Sequence, residues 1–289
     1  MRRSFALVLA LVALLSGLAL AQTTVADVQA RAEAGERVAQ FLLGRAYYFG
    51  TDGLTKDEAT AANWFRKAAD QGQVNAQTFL GYMYEEGRGG LKKDEAQAAE
   101  WYRKAGDQGE ANAQRNLGLM YASGRGGLAK SETDALIWYR KAAEQGDASA
   151  QNSLGIMYEK GQGGLTQDGG EALKWYSKAA DQGYANAQNN AAIILLMSHN
   201  PELRNPRAAL HYASKAVEAY RYNVIFLRTL AEAQYVNEEF DRAVETMLRV
   251  VTLAPADKKD EYMAALRRYQ EALEASKREV KPATGFRPK

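Results

Sequence analysis

The chain has no cysteine among its 289 residues, only five prolines and two histidines. The missing cysteines exclude disulfides, thiolate metal sites and a cysteine nucleophile. The two histidines, His199 and His211, belong to no His-Glu-x-x-His pattern, so no zinc site is indicated and solvent or packing roles are expected for both. Charge of one sign is also lacking. The formal charge is +2, and setting Arg2 and Arg3 aside leaves 35 basic against 35 acidic residues. No global basic field exists to recruit nucleic acid or anionic lipid.

One long apolar run opens the chain. Arg2 and Arg3 precede Phe5 to Leu15, followed by Ser16, Gly17 and Ala19-Leu20-Ala21. The run is short of the roughly 20 apolar residues of a membrane span. A basic start, a short apolar core and a small-residue end predict a Sec-type signal cut after Ala21. An uncleaved N-terminal anchor is the alternative. A lipidated N-terminus is excluded, because no cysteine follows the site. At the other end, Pro282, Gly285 and Pro288 among Lys281, Arg287 and Lys289 predict a frayed basic tail, 279–289.

What the chain does have is a period. Trp64, Trp101, Trp138 and Trp175 are all its tryptophans, and they lie 37 residues apart. Leu43-Gly44, Leu80-Gly81, Leu117-Gly118 and Leu154-Gly155 keep the same step, as do Ala39-Gln40 and its four copies up to Ala187-Gln188. Asp70-Gln71-Gly72 returns at 107, 144 (as Glu) and 181. Tyr212 takes the fifth tryptophan phase. Such self-similarity marks a solenoid, in which each unit buries its apolar face against its neighbours. Five units are expected: 36–72, 73–109, 110–146, 147–183 and 184–220. A half-unit caps the front within 22–35.

Within a unit, Ala76, Leu80, Met83 and Tyr84 step along one face of a helix. Asn75, and in the same phase Asn112, Ser149 and Asn186, are expected at its N-cap. Gly87 suits the left-handed residue that ends it. Arg88-Gly89-Gly90-Leu91 makes the turn, and Asp94-Glu95 opens a second helix with Ala98, Trp101, Tyr102 and Ala105 on one face. Antiparallel helix pairs therefore form an all-α fold. Gly44, Gly81, Gly118 and Gly155 permit close helix approach, and the four tryptophans are read as packing.

Ala-x-Gln, Leu-Gly-x-x-Tyr, the Gly-rich turn, Trp-Tyr-x-Lys-Ala and Gln-Gly together resemble the Sel1-like repeats, relatives of the tetratricopeptide repeats. The resemblance covers about 36–220. It implies a right-handed superhelical α-solenoid and an adaptor or scaffold that does no chemistry and needs no cofactor. Beyond it, Leu230, Ala231, Phe240, Ala243 and Pro255 resemble one tetratricopeptide unit. A final helix with Tyr262, Leu266, Tyr269 and Leu273 on one face completes a C-terminal segment, 221–278.

Several motifs invite sharper readings. Gly124 to Ser131 falls one residue short of a P-loop, but it follows a helix and its sister turns read Gly87…Lys93-Asp94 and Gly161…Gln167-Asp168. The Arg-Gly-Gly turns suggest RNA contacts only until export and charge balance are weighed. Some exported relatives are thought to act on β-lactams, which makes a cell-wall- or β-lactam-active hydrolase the alternative function. No Ser-x-x-Lys occurs to support it. Asp57, Asp94 and Asp168 are expected to cap second helices rather than act as acids or bases.

Function is expected where the rhythm breaks. In this type of superhelix the first helices line the concave groove. Their varying phases are Phe41, Thr78, Arg115 and Asn152, then Arg45, Tyr82, Leu119 and Ile156, then Tyr48 and Glu85. These residues form the expected strip for a protein or peptide partner. Leu119 and Ile156 could instead belong to the core between units. With the signal, the setting is expected to be the periplasm of a Gram-negative-type bacterium, or secretion from it.

Overall fold

The computed structural model describes residues 24–279. The expected signal, 1–21, lies outside them, as does the tail from residue 280. Fourteen α-helices and two short 3-10 turns are found among the described residues, with no strand. The protein is an all-α solenoid, in which consecutive helices pack in pairs. It divides into two compact units, one ending at Lys130 and the other starting at Ser131.

The first unit holds α1 (Val25–Glu33), α2 (Arg37–Phe49), α3 (Glu58–Asp70), α4 (Val74–Glu86), α5 (Glu95–Asp107) and α6 (Ala111–Ser123). The second holds α7 (Glu132–Glu144), α8 (Ala148–Lys160), α9 (Gly169–Asp181), α10 (Ala185–Met197), α11 (Pro206–Ala219), α12 (Val224–Val236), α13 (Phe240–Leu253) and α14 (Lys259–Glu279). Every helix from α2 to α10 spans 13 residues. The sequence period is thus carried at the level of single helical turns.

Second helices start where short polar side chains take up orphan N–H groups. Asp57, Asp94 and Asp168 accept from the second and third residues of their helices, and Ser131 from the third. First helices start differently from the expectation. Their N-caps are Gln73, Glu110 and Asp147, whose side chains accept from Ala76, Ala113 and Ala150. Asn75, Asn112, Ser149 and Asn186 lie two residues inside the helix. Gln and Glu are poorer caps by habit, but their longer side chains reach the third amide here.

The helix pairs close tightly around the small residues. A Cβ on Gly81 would stand 2.8 Å from two ring carbons of Tyr102, and one on Gly155 2.6 Å from Tyr176. Tyr102, Tyr176 and Phe65 are fully buried. The aromatic after each tryptophan therefore fills the pair's interior. Trp101 and Trp138 are buried beside it, whereas Trp64 and Trp175 are half-buried. Each tryptophan carries a lysine from one turn on over its ring, Lys67, Lys104, Lys141 or Lys178, at 3.9–4.2 Å.

Two fasteners join successive repeats. Buried Gln40, Gln77, Gln114, Gln151 and Gln188 each donate to a carbonyl eight residues back, near the end of the preceding second helix, at 3.0–3.2 Å. Gln71, Gln108 and Gln182 donate in turn to the Oε1 of Gln40, Gln77 and Gln151 at 2.7–2.8 Å. This glutamine ladder satisfies carbonyls that a helix end leaves orphaned. At the fifth repeat the phase of Gln182 is occupied by Ala219, and the Oε1 of Gln188 has no partner.

The second fastener is the Gly-rich turn. Arg88 binds the carboxylate of Glu58, Arg125 that of Glu95 and Gln162 that of Glu132, each at the first residue of the previous second helix. The glycine after the arginine is pressed on that helix too. A Cβ on Gly89 would stand 2.5 Å from the Glu58 carbonyl, and its φ of +61° also favours glycine. The P-loop-like and Arg-Gly-Gly stretches are these turns.

In the second unit the last repeat shares one apolar core with α12, α13 and α14. Tyr262, Leu266 and Tyr269 of α14 are buried, while Leu273 is half-buried. Tyr269 stacks on Tyr235 with ring centroids 4.7 Å apart, and its hydroxyl donates to Glu232 at 2.5 Å.

Candidate interaction surface

With the periodic polar residues committed to fasteners, the remaining surface can be sorted helix by helix. The first helices α2, α4 and α6 turn positions 2, 6, 9 and 13 away from their second helices, a helical i, i+4, i+7, i+11 stripe. On α2 this stripe is Val38, Leu42, Arg45 and Phe49, all exposed. On α4 it is Asn75, Phe79, Tyr82 and Glu86, of which only Phe79 is half-buried. On α6 it is Asn112, Asn116, Leu119 and Ser123, with Asn116 half-buried.

The expected strip meets this stripe in one of its three rows. Arg45, Tyr82 and Leu119 are exposed, whereas Ile156 on α8 is half-buried and packs against a core cluster of the second unit. Leu119 is 45% exposed and so is no part of a core. The other two rows turn inward by one residue, about 100°. Phe41 and Tyr48 are buried in an aromatic cluster with Phe65 and Phe79, and burial pushes the Tyr48 hydroxyl above its usual pKa. Asn152 is buried and accepts from Asn190 at 3.0 Å. Glu85 accepts the Tyr102 hydroxyl at 2.8 Å and also meets Arg125 at 3.0 Å. Thr78 and Arg115 are half-buried, the first bonded to Glu110 and the second to Asn112 and Asn116. Those residues are occupied by the scaffold itself.

Positions 2, 6 and 13 are the ones that periodicity missed. Asn75 and its copies looked like caps, which hid a surface row. Row 13, from Phe49 to Met197, held no repeated type to flag it.

All five large apolar residues that stand exposed between residues 24 and 130 lie on this stripe: Val38, Leu42, Phe49, Tyr82 and Leu119. Helices α3 and α5 expose none. Among the described residues, no group of three His, Asp or Glu side chains is placed to hold a metal ion, and no helix is long and apolar enough to cross a membrane.

The model of the Sel1 repeat matches the chain five times, at residues 37–73, 74–110, 111–147, 148–184 and 185–220. The chain belongs to the Sel1 repeat family. Among solved structures it is similar to a Sel1 repeat protein from Oxalobacter formigenes, with 34% identity over 64% of this chain and 74% of that one, at a TM-score of 0.57. It is also similar to c5321, a protective antigen of uropathogenic Escherichia coli strains that displays an SLR fold. There the identity is 32% over 86% of this chain and 56% of that one, at a TM-score of 0.68. The chain thus spans little more than half the length of that antigen. No curated protein matches significantly. Sel1 repeat proteins typically serve as protein-interaction scaffolds and are generally non-catalytic.

Proposed function

We propose that this Sel1 repeat protein is an exported, non-catalytic scaffold that holds a protein or peptide partner against the solvent-facing stripe of its first helices. One observation carries the reading: the exposed large apolar residues of the first unit are confined to that stripe on α2, α4 and α6. Grouped exposed apolar residues rimmed by polar ones are the usual mark of a contact surface. The stripe also changes composition from repeat to repeat, from Arg45 to Tyr82 to Leu119, whereas the buried ladder residues Gln40, Gln77, Gln114, Gln151 and Gln188 keep one type. The signal-like start of the sequence supports export, and a periplasmic or secreted setting follows from it.

In-cell photo-crosslinking tests the face. A photoreactive residue replacing Tyr82 or Leu119 is expected to give a discrete adduct. The same residue replacing the exposed Glu100 on α5 is expected to give none. Identical adduct patterns from all three positions would sink the assignment.

A further inference from the structure

Seven of the eight arginines between residues 24 and 130 are engaged. Arg31 pairs with Glu36, Arg88 with Glu58 and Arg125 with Glu85 and Glu95. Arg37 donates to the Gln71 carbonyl, Arg66 to the Tyr84 hydroxyl and Arg103 to the Tyr121 hydroxyl. Arg115 is held by its neighbouring asparagines. Arg45, on the exposed stripe, is the exception among these described residues, with no hydrogen bond, ion pair or ring contact.

Its surroundings define what would satisfy it. On one side Arg45 lines a cleft of about 500 Å³ with Phe41, Phe49, Phe79, Thr51 and Asn75. Arg45 is the one charged group there, and the Asn75 carboxamide is exposed and also unengaged. On the other side it lines a second cleft of about 460 Å³, where Val25, Val28 and Leu42 supply apolar wall and Arg31 and Asp52 stand as further charged groups. A cation without a partner on a ridge between two clefts, the Phe49 and Phe79 side apolar with no other charge and the Leu42 side partly apolar, matches an acidic side chain with an apolar neighbour. A chain-terminal carboxylate would leave one of the clefts empty.

We propose that the α2 end of this face recognises an internal Asp or Glu of an extended peptide segment. Its carboxylate pairs with Arg45, and a large apolar or aromatic neighbour fills the cleft beside Phe49 and Phe79. The Asn75 carboxamide, a donor and an acceptor together, is placed to bond the segment's backbone. This rests on the interaction face proposed above and adds the chemistry of its occupant.

The test is selection from a phage library of random heptapeptides flanked on both sides, against the full chain. Enriched peptides are expected to carry Asp or Glu within two residues of Phe, Tyr, Trp or Leu. Their affinity is expected to fall on the order of tenfold on Arg45→Glu, the loss of one charge-assisted contact. A similar fall is expected when the peptide acid is changed to its amide. The two changes together should cost little more than either alone. Phe49→Ala, at a 55% exposed residue, is expected to weaken the same peptides, and circular dichroism verifies that both variants are folded. Consensus peptides without an acid, binders that require a free C-terminus, binding indifferent to Arg45→Glu, or no enrichment at all would each overturn the proposal. If Arg45→Glu has no effect while Tyr82→Ala or Leu119→Ala abolishes binding, the carboxylate chemistry falls and the face stands. If no substitution on α2, α4 or α6 matters, both fall.

Discussion

Arg125 donates to the two carboxylate oxygens of Glu95 at 2.8 and 3.1 Å, across the boundary between two repeats. The hydrogen bonds from Arg125 hold the Glu95 carboxyl at a pKa of about 2, below its ordinary 4.5. A depressed folded-state pKa contributes stability that is present above 4.5 and lost as pH falls toward 2. The melting temperature is therefore expected to decline between pH 4.5 and 2, and Glu95→Gln should flatten that decline. Both partners are partly exposed, so at neutral pH the variant should lose less than about 1 kcal/mol. A variant whose melting temperature still tracks the wild type through this window would contradict the assignment.

Gly81→Ala should destabilise by about 1–3 kcal/mol, because the new methyl meets the Tyr102 ring at overlapping distance. Thermal unfolding measures the loss. Tyr102→Leu introduced with it should recover part, and two additive losses would argue against the contact.

The glutamine ladder makes a graded prediction. Gln77→Leu deprives the Ala69 carbonyl of a donor and Gln108 of its acceptor, at a cost of about 1–3 kcal/mol. Gln188→Leu loses the bond to Ala180, but its Oε1 has no partner to lose. The fifth-repeat variant should be the milder of the two in parallel thermal melts. The reverse order would count against the ladder.

Export can be read from the protein's end. N-terminal sequencing of the chain recovered from an envelope fraction should begin at Gln22. A chain that starts at Met1 and stays in the cytoplasm would refute the signal.

The period, the helix pairs and the second-helix caps were legible because they rest on strong local signals: tryptophan spacing, glycine turns, and Asp before an alanine-rich helix. The first-helix caps were not, since Gln73 and Glu110 compete on paper with the more usual Asn75 and Asn112. A buried glutamine ladder was likewise hidden. Gln40 and its copies repeat visibly, yet a repeated Gln does not say whether it points to water or to a carbonyl. The exposed stripe of the first helices was one-third visible. Phases 5 and 6 of a helix differ by about 100°, and without packing partners nothing in the sequence separates Phe41, which is buried, from Leu42, which is exposed.

Both fasteners act between neighbouring repeats, which makes 37 residues the unit of interchange. Excision of 74–110 would bring Gln114 to the Ala69 carbonyl and Arg125 to Glu58, each in the place its predecessor held. Such a shortened chain keeps both of these bonds and surrenders one stretch of surface. Length can then change by whole modules, while each module's outward stripe is free to vary.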